Sequence, residues 1–155
     1  TMYTPEEEKF LSTKDELLVD LRSLLGGRAA EQVVFSTQTT GAANDIQRAT
    51  ALAKNMVAQY GMSPELGLMA PASVTHQYLD GQAYMDCSEE TSGLVDKEVQ
   101  RILRQCHEDA MQILTENRSL LDEISEYLLA KETITGEELM AFVNAAKKEQ
   151  QPTEE

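Results

Sequence analysis

A chain of 155 residues is long enough to close one hydrophobic core. Hydrophobic residues make up 41% of it, but aromatics only 5% and Trp is absent. The core therefore has to be aliphatic, which favours helices packed on helices over a sheet of Val, Ile and Tyr. A formal net charge of −14 repels nucleic-acid phosphates and anionic lipid, so neither is expected as a direct partner of this stretch.

The two cysteines, Cys87 and Cys106, form neither a CxxC pair nor a disulfide framework, and a reducing compartment fits. No apolar run of about 18 residues occurs, and no signal peptide is visible.

In chain order, Thr1 to Leu11 reads as extended or loop, with Pro5 and the acidic run Glu6 to Glu8. Thr13-Lys14-Asp15-Glu16 then predicts a capping box. Behind it, Leu17, Leu18, Leu21, Leu24 and Leu25 recur at helical spacing, and the pattern continues through Ala29, Ala30, Val33 and Val34. Gly26-Gly27 lies inside it, at a cost of about 2 kcal/mol relative to Ala. Because the pattern resumes in phase, one unbroken helix is expected, with another backbone packed close on the glycines.

Ser36 to Gly41 is a polar loop. A second helix is expected from Ala43 to Tyr60, burying Ile46, Ala49, Ala53, Met56, Val57 and Tyr60, with Gly61 ending it. Residues 61 to 87 hold Gly61, Pro64, Gly67, Pro71 and Gly81 without a sustained period, and read as irregular. Ser88-Glu89-Glu90 opens a third helix, with Val95, Val99, Ile102, Leu103, Cys106, Ala110, Ile113 and Leu114 as its stripe and Asn117 as its end. Leu120, Leu121, Ile124, Leu128 and Leu129 mark a fourth. Thr135-Gly136-Glu137-Glu138 is a second capping box, opening a last helix with Leu139, Phe142, Val143 and Ala146. From Lys147 the chain is polar, and disorder is expected over 147–155. The fold class is all-α: a helical bundle of about four to five helices with a long irregular segment near 61–87.

Three segments stand out. They are Leu25-Gly-Gly-Arg-Ala-Ala-Glu31, Thr39-Thr-Gly-Ala-Ala-Asn-Asp-Ile-Gln-Arg-Ala-Thr50 and Asn55-Met-Val-Ala-Gln-Tyr-Gly-Met-Ser63. Ser88-Glu-Glu-Thr91 followed by Val95-Asp-Lys-Glu-Val99 extends the series. In this order and spacing they resemble the peptidase domain of the FtsH family, the membrane-anchored ATP-dependent AAA+ zinc proteases. The resemblance runs from about Glu6 to Ala145.

That resemblance implies a mechanism. In the family a helix bearing His-Glu-x-x-His supplies two zinc ligands and a general base. The third ligand is an aspartate in a Thr-Thr-Gly-Ala-x-Asn-Asp motif, which maps onto Asp45. This chain departs from the pattern: its two histidines are His76 and His107, and no His-Glu-x-x-His is present. It also lacks a Walker G-x-x-x-x-G-K-[ST] motif. The expectation is that residues 1–146 are the C-terminal helical part of the domain, with the zinc-binding helix upstream of Thr1. On that reading the chain holds no catalytic and no cofactor-binding residue, and Asp45 is its one metal ligand. One carboxylate alone does not retain catalytic zinc, so Zn2+ is expected in the intact parent and not on these residues alone. The resemblance further implies ATP and Mg2+ at an ATPase module outside this chain, protein substrates, a homo-hexamer and membrane contact through other segments. It places this domain on the cytoplasmic side in a bacterium, or on the matrix or stroma side in an organelle. The alternative is a non-catalytic helical assembly or interaction module derived from that domain.

Each residue also has a plainer reading. Asp45 in a first helical turn serves the helix dipole, and Thr40 or Asn44 is the expected cap. Gly26 and Gly27 read plainly as a helix break; the functional reading is that they let the zinc-binding helix pack close in the intact domain. His76 is a loop histidine, His107 a packed or surface one and Cys106 inert core. Cys87 precedes a helix N-terminus, a setting that lowers a thiol pKa.

Overall fold

In a computed structural model the chain is described over residues 11–73 and 84–150. It divides into two compact units, Thr1–Met111 and Gln112–Glu155, and each is taken by itself. The fold is all-α. Its helices are α1 (Lys14–Phe35), α2 (Ala43–Ala58), α3 (Glu89–Glu116), α4 (Arg118–Lys131) and α5 (Gly136–Gln150).

In the first unit, α1 opens with both halves of the expected box. The Glu16 N–H donates to Thr13 Oγ1 at 3.3 Å, and the Thr13 N–H donates to Glu16 Oε2 at 2.9 Å. Its buried ladder is Leu17, Leu21, Leu25 and Ala29, each four residues from the last. The helix passes unbroken through Gly26 and Gly27. The close backbone expected there is absent among the described residues: a Cβ on either glycine would meet nothing within 4 Å.

Helix α2 buries Ala49, Ala53, Met56, Val57 and Ala58 against α1. It stops at Ala58, short of the expected Tyr60, which is 51% exposed. Gly61 takes the left-handed conformation, φ 62°, and the Met62 N–H returns to the Met56 carbonyl at 3.0 Å. From α3, Val95, Val99, Ile102, Cys106 and Ala110 are buried. Ile113, expected on the same stripe, is 52% exposed. The result is an aliphatic core drawn from three helices, with Met62 and Leu66 of the following loop packed against it.

The segment expected to be wholly irregular carries a short antiparallel ladder, β1 (Ala72–Ser73) with β2 (Tyr84–Met85). Ala72 pairs with Met85 and Ser73 with Tyr84. His76 and the acidic run Glu6 to Glu8 fall outside the described residues.

In the second unit, the Thr135–Glu138 box forms, with Glu138 N–H to Thr135 Oγ1 at 3.3 Å and Thr135 N–H to Glu138 Oε2 at 3.0 Å. Tyr127 meets Phe142 edge-on at 5.2 Å between ring centroids. Helix α5 continues past Lys147, where disorder was expected, as far as Gln150. Among the described residues, no helix is long and apolar enough to cross a membrane.

Candidate metal-ligand site at the start of α2

The path from α1 to α2 is a tight polar turn. Ser36 ends α1 in the left-handed conformation, φ 51°, its N–H bonded to the Gln32 carbonyl at 3.1 Å. A single 3-10 turn, Thr40–Ala42, then leads directly into α2. The cap is neither Thr40 nor Asn44. Thr39 does this work, its Oγ1 accepting the Gly41 N–H at 3.1 Å. Helix α2 itself begins after Ala42, which offers no side-chain cap.

Asp45 lies in the first turn of α2. A carboxylate there faces the positive end of the helix dipole, worth about 0.3–1 kcal/mol at an exposed position. Its side chain is about half exposed, and its ion pair with Arg48 is long, 3.8 Å between Arg48 Nη1 and Asp45 Oδ1. Both partners are in contact with solvent, so this pair holds the carboxylate weakly. An oxygen donor so placed is available to a hard or borderline cation.

The described residues by themselves supply that one donor. No three His, Cys, Asp or Glu side chains among them converge where a metal could sit. His107 is far from this role: its Nε2 lies 2.5 Å from Gln32 Oε1, tying α3 to α1, and its buried Nδ1 has no partner. Cys106 is core, and burial pushes its thiol up. Cys87 is half-buried ahead of α3. The residues present thus fit one ligand of a zinc site, and not a closed three-ligand site.

Sequence reasoning missed the groups that surround the turn. Glu31 on α1 takes the Thr39 N–H on Oε2 at 3.1 Å and the Thr39 hydroxyl on Oε1. Arg28 donates to Glu31 Oε2 at 3.1 Å and to the Thr39 carbonyl at 2.9 Å. The Thr39 hydroxyl, then its N–H, hold the Glu31 carboxyl below the usual carboxylate range, with Arg28 adding to the effect. The one available signal was the Arg28–Glu31 spacing of three on a helix. A second missed group is Glu98, buried on α3 and forked by Arg101 at 2.8 Å twice. Arg101 holds this carboxyl low although burial pushes the other way, and the Ser63 hydroxyl helps.

The motifs that resemble a peptidase domain are matched among known proteins. The family model for peptidase family M41 matches residues 1–142. The chain belongs to peptidase family M41. It is 48% identical, over all of its 155 residues, to the ATP-dependent zinc metalloprotease FtsH of Clostridium perfringens, covering 22% of that protein. It is 49% identical over 147 residues, 93% of this chain, to that of Thermotoga maritima, covering 24% of it. The FtsH 4 metalloprotease of Synechocystis is 46% identical over 143 residues, 90% of this chain and 23% of that protein. The chain thus spans less than a quarter of the length of these relatives.

Proposed function

We propose that this chain is the C-terminal helical part of the peptidase domain of a membrane-anchored ATP-dependent zinc metalloendopeptidase, and that Asp45 gives the zinc its carboxylate ligand. The supporting observation is the position of Asp45: first turn of α2, half exposed, and held among the described residues by a long pair to Arg48. Two histidines and a general-base glutamate of a His-Glu-x-x-His helix, outside the sequence described, would complete the set. When bound, the metal supplies an activated water and a Lewis acid for the scissile carbonyl. This chain's part is to hold a carboxylate at a fixed place and to give the site one rigid wall, formed by α1 and α2.

Further parts of the reading follow from the family. ATP and Mg2+ bind an ATPase module outside this chain. The assembly is a homo-hexamer that degrades unfolded or membrane proteins. Contact with the membrane runs through other segments, and this domain faces the cytoplasm in a bacterium, or the matrix or stroma in an organelle.

The test is metal and activity together in the full-length protein. Asp45→Ala is expected to lose bound zinc and casein cleavage while keeping its helical circular dichroism. Zinc and activity retained at the level of the unmutated protein would reject Asp45 as a ligand.

A further inference from the structure

We propose that Glu31 is a positioning residue: with Arg28 it clamps Thr39 and thereby sets the direction in which α2 presents the Asp45 carboxylate. The proposal rests on the reading of Asp45 as a metal ligand.

Helix α2 does not fix its own entry. Its N-cap residue is Ala42, with no side-chain hydrogen bond to the first turn. The entry is fixed from α1 instead. All three polar groups of Thr39 are anchored there: its N–H at 3.1 Å and its hydroxyl on Glu31, its carbonyl at 2.9 Å on Arg28. Since the Thr39 O–H points to Glu31, its lone pairs face onward and accept the Gly41 N–H at 3.1 Å. The chain of bonds thus reaches Gly41, four residues and about one helical turn before Asp45.

The turn is also closed sterically. A Cβ on Gly41 would lie 3.3 Å from Thr39 Oγ1 and 3.7 Å from Glu31 Oε1. The first distance is tighter than a side chain normally tolerates, so the glycine admits the clamp. None of these groups belongs to the buried core, which α1 and α2 build from Leu17, Leu21, Leu25, Ala49, Ala53, Met56 and Val57. Packing holds the helices together. The clamp governs the turn that joins them; groups bonded directly to a ligand typically matter about 10- to 100-fold for metal affinity, the upper range for a clamp that ends one turn before Asp45.

The experiment uses the full-length protein with Co2+ in place of zinc, whose visible absorption reports ligand geometry. Four variants are compared: Glu31→Gln, Thr39→Val, Thr39→Ser and Asp45→Ala. Positioning predicts that Glu31→Gln and Thr39→Val weaken Co2+ by up to about 100-fold and shift its absorption bands. Their helical circular dichroism stays intact, and Thr39→Ser, which keeps the hydroxyl, restores affinity and bands. If Asp45→Ala loses the metal while Glu31→Gln and Thr39→Val keep both affinity and bands, the clamp is overturned and the ligand stands. If Asp45→Ala keeps the metal at full affinity, the ligand reading itself falls. Weaker binding with unshifted bands and lost helicity marks a structural role and also overturns the clamp.

Discussion

Residues up to Met111 and residues from Gln112 onward solve the same problem differently. In the first unit Leu21, Ala29, Ala49, Ala53, Met56 and Val57 are wholly out of water. In the second, α4 buries no residue at all, and Leu129 is 85% exposed. There the helices meet through the Tyr127–Phe142 ring contact and a polar clasp. Lys131 and the Tyr127 hydroxyl both donate to Glu138, the hydroxyl at 3.0 Å, and Lys131 also reaches the Tyr127 oxygen at 2.8 Å. Apolar burial is non-directional and carries no titrating group, whereas the clasp depends on charge. The unit that carries the candidate ligand is therefore the one held chiefly by apolar packing.

The sharpest way to break this contrast is in the core. Leu21→Ala should cost about 2–5 kcal/mol, the range for emptying a fully buried leucine site, read by urea denaturation. A cost under about 1 kcal/mol would mean that the first unit is not held by packing. Next is Arg101→Ala, which leaves the buried Glu98 carboxylate without its fork. About 1–3 kcal/mol is expected, since Arg101 itself is largely exposed. In the second unit, Thr135→Ala removes one half of a capping box and should cost about 1 kcal/mol, seen as faster hydrogen exchange in the first turn of α5.

Acid gives the smallest but most selective effect. The Lys131 contact, then the Thr135 N–H and the Tyr127 hydroxyl, pull the Glu138 carboxyl from its ordinary 4.5 to about 2. A carboxyl held low in the folded state stabilises above its unfolded value, and that stabilisation is lost as pH falls towards the folded one. Exchange protection of α5 should therefore decline between about pH 4.5 and 2, and Glu138→Gln should flatten that decline. An identical pH profile in the variant would remove the clasp from the account.

What could be read in advance follows how local each feature is. Both capping boxes, Thr13–Glu16 and Thr135–Glu138, are made between residues three apart and were legible as written. So were the Leu17 to Ala29 ladder and most of the α3 stripe, because one helical period carries them. The assignment of Asp45 as a ligand rests on a family motif alone, since an acid in a first turn is ordinary. The clamp on Thr39 was hidden: Arg28, Glu31 and Thr39 lie in the distinctive segments, but nothing in the sequence says that Thr39 bonds to the other two. Their bonds cross a turn of unpredictable shape. Glu98 pairs locally with Arg101, three residues on; what was hidden is its burial, because the elements that cover it are distant in sequence. The β1–β2 ladder is two residues long on each side, too short for an alternating pattern to register.

The Asp45 carboxylate, in the first turn of α2, is proposed as a zinc ligand of the full-length protein. An anomalous difference map at the zinc edge, from crystals of the full-length protein, addresses it directly. The account predicts a peak about 2.0–2.2 Å from an Asp45 oxygen, with the ion pair to Arg48 relinquished. A zinc peak beyond about 4 Å, with Asp45 still paired to Arg48, would contradict it.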